Sequence, residues 1–111
     1  MENSNRIMFL RAPNGHPVGA LAIRLVKGKN TAKYQFSVLN PKDQFDRAVA
    51  RQLALGRLVE KPLTVHLPDE ANMHDISESV MLDLSQRKEA PSRAQKAASL
   101  WLNTNGSLLP L

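Results

Sequence analysis

Cysteine is absent from the 111-residue sequence, which excludes disulfides, thiolate zinc sites, iron–sulfur clusters and cysteine nucleophiles together. Aromatic residues make up only 5%, with one Trp, one Tyr and three Phe. The core must therefore be mostly aliphatic, and few rings are left over as stacking platforms for single-stranded nucleic acid. The five glycines are scattered, so no Gly-rich phosphate loop forms, and neither a nucleophile elbow nor a paired-carboxylate spacing is present. No run reaches the roughly eighteen apolar residues of a membrane span. The first residues, Met1 to Asn5, are polar and acidic rather than basic then apolar, unlike a secretory leader. Together these absences predict a cytoplasmic, non-enzymatic protein that contacts no membrane and needs no cofactor.

What is present is an average globular mix, 42% hydrophobic and 23% charged, over a length that suits a single domain. The net charge of +5 is unevenly spread. Through Lys61 there are eleven bases against four acids, and from Pro62 onward four bases against six acids. The single domain thus reads as a basic part over about 6–61, an acidic helical part over about 62–106 and an apolar tail at 107–111.

Hydrophobic periodicity predicts the elements. Arg6 to Ala12 reads as a strand, and Ala12-Pro13-Asn14-Gly15-His16-Pro17 as a turn. Val18 to Val26 alternates with period two, Leu21, Ile23 and Leu25 on one face and Ala20, Ala22 and Arg24 on the other. After the turn Lys27-Gly28-Lys29-Asn30, the third strand Thr31 to Leu39 sets Tyr34, Phe36 and Val38 against Lys33, Gln35 and Ser37. Three strands joined by short turns make an antiparallel meander with one apolar face and one polar, basic face.

A helix is expected to open at Asn40-Pro41-Lys42-Asp43 and to bury Phe45, Val49 and Leu53 against the apolar face of the meander, with Arg47 and Arg51 pointing away. It ends at Gly56 or runs on toward Pro62. Leu63 to Leu67 is a possible fourth, edge strand. Asp75-Ile76-Ser77-Glu78 resembles a capping box opening a second helix with Ile76, Val80 and Leu84 inside. A third helix is predicted from about Ser92 to Leu102, with a box at Ser92 and Gln95 and a small face of Ala94, Ala97, Ala98 and Trp101. The fold class is α+β, in the order β-β-β-α-β-α-α.

The basic half directs attention to polyanions, because each neutralised phosphate releases condensed counterions. The candidate nucleic-acid-binding residues are Arg24, Lys27, Lys29 and Lys33 on the sheet and its hairpin, with Arg47 and Arg51 as a second patch on the helix. If the helix covers the apolar face, these two sets lie on opposite sides of the domain. Duplex is favoured over single strand because exposed rings are few. His66, Asp69, Glu70, His74 and Asp75 crowd together, but their spacing matches no standard metal motif and equally suits a solvated loop with Asp75 as a helix cap. The rival expectation is a protein-interaction module that docks on a host or defence protein or on a second copy of itself. Its support is the acidic second half and the tail residues Leu108, Leu109 and Leu111.

The stretch Ser37-Val38-Leu39-Asn40-Pro41-Lys42-Asp43-Gln44-Phe45-Asp46-Arg47, continued by Ala50-Arg51-Gln52-Leu53-Ala54-Leu55-Gly56-Arg57-Leu58, resembles a segment of small bacteriophage and mobile-element proteins. Ala50 stands where that pattern has a glycine. The resemblance implies a phage or plasmid origin and carries over no functional residue.

Overall fold

The computed structural model describes residues 5–26, 28, 30–40 and 44–105. The tail leucines Leu108, Leu109 and Leu111, the hairpin lysines Lys27 and Lys29, and the expected helix start at 41–43 lie outside the described residues. Strands β1 (Asn5–Arg11), β2 (Pro17–Val26) and β3 (Thr31–Val38) precede helix α1 (Arg47–Glu60). Strand β4 (Leu63–His66) and helices α2 (Met73–Gln86) and α3 (Ser92–Asn105) follow. The four strands form one sheet in the order β1-β2-β3-β4, with every neighbouring pair antiparallel. The α+β architecture, the meander, the edge strand and the two C-terminal helices are as the periodicity predicts.

The layering differs from expectation. Helix α1 packs on the sheet face read as polar, where Ala20 and Ala22 of β2 meet Ala50, Ala54 and Leu58. The Ser37 hydroxyl on the same face donates to the Ala50 carbonyl at 2.7 Å, satisfying both groups where water is excluded. Alanine on both surfaces lets helix and sheet approach closely, and Leu58 with the half-buried Ile7, Phe9, Phe45 and Leu55 packs around that contact. The larger apolar face, with Leu21, Ile23 and Tyr34, is covered by α2 and α3 through Ile76, Val80, Met81, Leu84 and Ala98. That face requires the greater apolar area, which two helices supply and α1 does not.

The orientation of α1 is corrected with it. Val49 and Leu53, expected inside, are 45% and 42% exposed, while Ala50, Ala54 and Leu58 are buried. The helix also begins later than expected. Its N-cap is Asp46, whose carboxylate accepts from the Ala48 and Val49 amides, and Phe45 before it meets Phe9 edge-on at 6.0 Å. Gly56 lies within the helix, which ends at Glu60 before Pro62. In α2 the cap is Asn72 rather than Asp75. Asn72 Oδ1 accepts from the Asp75 amide at 2.8 Å, and the Asp75 carboxylate accepts from the Asn72 amide at 3.1 Å, a reciprocal box shifted by three residues. The Gln95 side chain, expected to cap α3, donates instead to the Arg87 carbonyl.

One close approach locks the sheet. A Cβ on Gly19 would stand 2.1 Å from the Ser37 carbonyl oxygen, so β2 admits only glycine there. Above the short β4, the β3 edge is sealed by side chains: Gln35 accepts from the Phe36 amide, and Arg57 donates to the Phe36 carbonyl at 3.0 Å. Such covering removes an unpaired strand edge that another chain would otherwise extend. On the other side, the Tyr34 hydroxyl donates to Asp83 at 2.6 Å and accepts from Arg87 at 3.1 Å. Burial first, then the hydrogen bond to Asp83, pushes the phenol above its ordinary range, with Arg87 opposing.

Candidate polyanion interface

Helix α1 descends along the sheet only as far as Gln35, whose side-chain amide donates to the Lys61 carbonyl at 2.8 Å. The chain then drops to the sheet edge as β4, which pairs Leu63 with Tyr34 and continues toward Thr31. Among the described residues no helix covers the lower part of the α1 face, which forms an open ledge. Cross-strand partners point to the same face, so the register defines what stands there. One row runs across all four strands as Asn5, Arg24, Lys33 and Thr64, and the next holds Val26, Thr31 and His66.

Arg24 and Lys33 are directly opposite each other on β2 and β3, which sets their Cβ atoms about 4.5–5.5 Å apart. Both are half-buried, and neither has a carboxylate partner among the described residues. Like charges in this arrangement cost the fold about 0.2–1 kcal/mol. Around them, the Asn5 amide and the Thr31 and Thr64 hydroxyls supply further hydrogen-bond donors. Lys61 stands exposed at the upper margin. At the lower margin Asp69 accepts from the Asn30 side chain at 2.7 Å, placing one carboxylate beside the hairpin.

Because α1 lies on this face, Arg47 and Arg51 share the side of the sheet that carries Arg24 and Lys33, and the anticipated separation onto opposite sides does not hold. Arg47 nevertheless stands at the far end of the helix, its guanidinium 5.2 Å from the Phe9 ring centroid. Arg51 is exposed. Lys61 and Thr64 were missed by sequence reasoning, and His66 was read in the histidine–carboxylate cluster rather than on this face. The alternation of Leu63 and Val65 marks β4 as a strand, yet only its register with β3 brings Thr64 and His66 beside Lys33.

The histidine–carboxylate cluster separates in the fold. His66 is on the ledge, Asp75 is in the α2 capping box, and His74 lies tilted 5.9 Å from the Trp101 ring. Among the described residues no three His, Asp or Glu side chains form a metal-holding group. No described helix is long and apolar enough to cross a membrane. No protein-family model, curated protein or solved structure matches the chain.

Proposed function

We propose that this protein is a small, non-enzymatic nucleic-acid-binding accessory protein of phage or mobile-element type, contacting duplex phosphates through the open ledge. The observation that carries the reading is the Arg24–Lys33 pair, two cations held side by side at a cost to the fold without a carboxylate among the described residues. A phosphate diester offset against this pair removes the repulsion and releases counterions. The surrounding amide and hydroxyl groups are the donor types that position backbones without reading sequence. No Phe, Tyr or Trp side chain stands in the two rows of the ledge among the described residues, and His66 is their one ring, which favours duplex over single strand. Lys27 and Lys29 belong to the same proposed surface by sequence, and Arg51 extends it along α1.

Binding of a duplex, a single strand and an RNA hairpin at two ionic strengths tests the proposal, comparing the wild type with a double Arg24→Gln, Lys33→Gln variant. The duplex should bind best, and the variant should lose affinity about uniformly across sequences with its salt slope shallower by about two. An unchanged slope refutes the assignment of these side chains.

A second reading, self-association, is supported by the outer face of α1, where Val49, Leu53 and Val59 are 45%, 42% and 74% exposed around Gly56. Gly56 leaves open space amid these side chains, and a two-fold contact sets one such patch against its copy. Light scattering at rising concentration reads it directly. A dimer abolished by Leu53→Lys supports the reading, and a wild-type monomer throughout refutes it.

A further inference from the structure

Along β1, the free edge of the sheet opposite β4, an open groove of about 440 Å³ separates the strand from the C-terminal half of α3. Its wall is apolar, including Met8, Leu10, Met81, Ala97, Leu100 and Trp101. At one end the groove adjoins a second cleft of about 210 Å³, the two sharing Arg11, Ala12, Pro13 and Ala97. That cleft adds Arg93 and Lys96. Arg11, Arg93 and Lys96 thus border the same cleft, largely through their aliphatic stems, with their charged heads at its rim, and no Asp or Glu lines either cavity among the described residues.

The guanidinium groups are held in place by the fold. Arg11 donates to the Gly15 carbonyl at 2.9 Å, and Arg93 donates to the Leu39 carbonyl. Each contact fixes its fork through one nitrogen, and a guanidinium has five N–H donors. Lys96 is exposed and its ammonium head is free to turn toward the cleft. Pockets for small molecules are typically about 300–1,000 Å³, mostly apolar, with a few polar groups that orient the ligand. Two adjoining clefts with apolar walls, bordered at one end by cationic side chains, match that description.

We propose that this channel binds a single-chain amphipathic organic anion, an unbranched alkyl group lying between β1 and α3 with its carboxylate or phosphate head among Arg11, Arg93 and Lys96. Charge complementarity selects the occupant: an apolar chain alone leaves three cations unused, and a plain inorganic anion leaves the channel unfilled. The site lies along the sheet edge and the α3 side, apart from the Arg24–Lys33 ledge, and so stands independently of the nucleic-acid reading.

Trp101 lines the channel and is the single tryptophan of the chain, so intrinsic fluorescence reports occupancy without a label. The full chain is titrated, below micelle-forming concentrations, with dodecanoate, dodecyl phosphate, dodecanol and dodecyltrimethylammonium. A saturable Trp101 change is expected with at least one of the two anions, with the neutral and cationic chains about tenfold weaker or more. Whichever anion binds more tightly identifies the head group. Lys96→Glu should weaken the anion by about tenfold while leaving dodecanol unaffected. Lys88→Glu, at an exposed turn lysine that lines neither cavity, should change neither, and circular dichroism checks that both variants fold. The absence of any saturable change, equal affinity for dodecanol and the anions, or indifference to Lys96→Glu overturns the proposal.

Discussion

Replacing Tyr34 with phenylalanine removes one hydroxyl from the junction between the sheet and α2 while leaving the fully buried ring in place. The hydroxyl donates to Asp83 at 2.6 Å and accepts from Arg87 at 3.1 Å. Hydrogen bonds to charged groups contribute about 1.5–3 kcal/mol. The loss is moderated because Asp83 and Arg87 keep each other at 2.8 Å and are partly exposed, so water can replace the phenol. A destabilisation of about 1–2 kcal/mol follows, which for a domain of this size lowers Tm by about 4–8 °C. The pH dependence is more diagnostic. Burial, then Asp83, holds the Tyr34 phenol above its ordinary value in the folded state, while the unfolded phenol titrates near 10. Below about pH 10 both states are protonated and the contribution is fully present. Above it the folded state binds the extra proton, so stability falls as pH rises, by up to about 1.4 kcal/mol per unit until the folded-state value is passed. Tyr34→Phe abolishes that component of the slope, and the difference between the two proteins isolates it from the lysines. Because the chain has one tyrosine, the near-ultraviolet phenolate band reports Tyr34 alone. It should stay silent in the folded protein past the pH at which urea-unfolded chain ionises. A folded protein whose phenolate appears with an ordinary midpoint, or stability curves for the two proteins that run parallel above pH 10, would refute the buried network as described.

Lys33→Glu turns the like-charge pair with Arg24 into an attractive one, so it should raise the chemical-denaturation midpoint by the equivalent of about 0.2–1 kcal/mol at low salt while weakening duplex binding. A destabilised variant would mean that Lys33 already has a favourable partner. The corrected orientation of α1 exposes Leu53, which sequence periodicity places inside, and buries Leu58. Leu58→Ala should cost about 2–5 kcal/mol in urea unfolding and Leu53→Ala within about 0.5 kcal/mol, and the reverse order would place the helix the other way round.

Much of the fold is legible in the sequence. The period-two alternation of β2 and β3, the turn at Asn14-Gly15, where Gly15 takes a φ of +89°, and the apolar stripe Ile76, Val80 and Leu84 of α2 all correspond to observed elements. The helix starts were less legible, because several Asp and Asn residues near each end can cap and only the path of the chain selects among them. For α1 the edge-on packing of Phe45 on Phe9 accompanies a cap at Asp46, six residues beyond Asn40. The candidate ledge was half legible: Arg24 and Lys33 follow from alternation, whereas Lys61, Thr64 and His66 join them only through the path from α1 into β4.

Local spacing alone determines which residues share a face, how the charge divides along the chain, and the absence of cysteine chemistry. It does not determine which face is covered, because strand periodicity marks two sides without naming the partner of either. That choice was made by competition between surfaces: two C-terminal helices supplied the large apolar area that Leu21, Ile23 and Tyr34 require, and the alanines of α1 matched those of β2. The same competition left the Arg24–Lys33 row open on one side of the sheet and the channel beside β1 on the other.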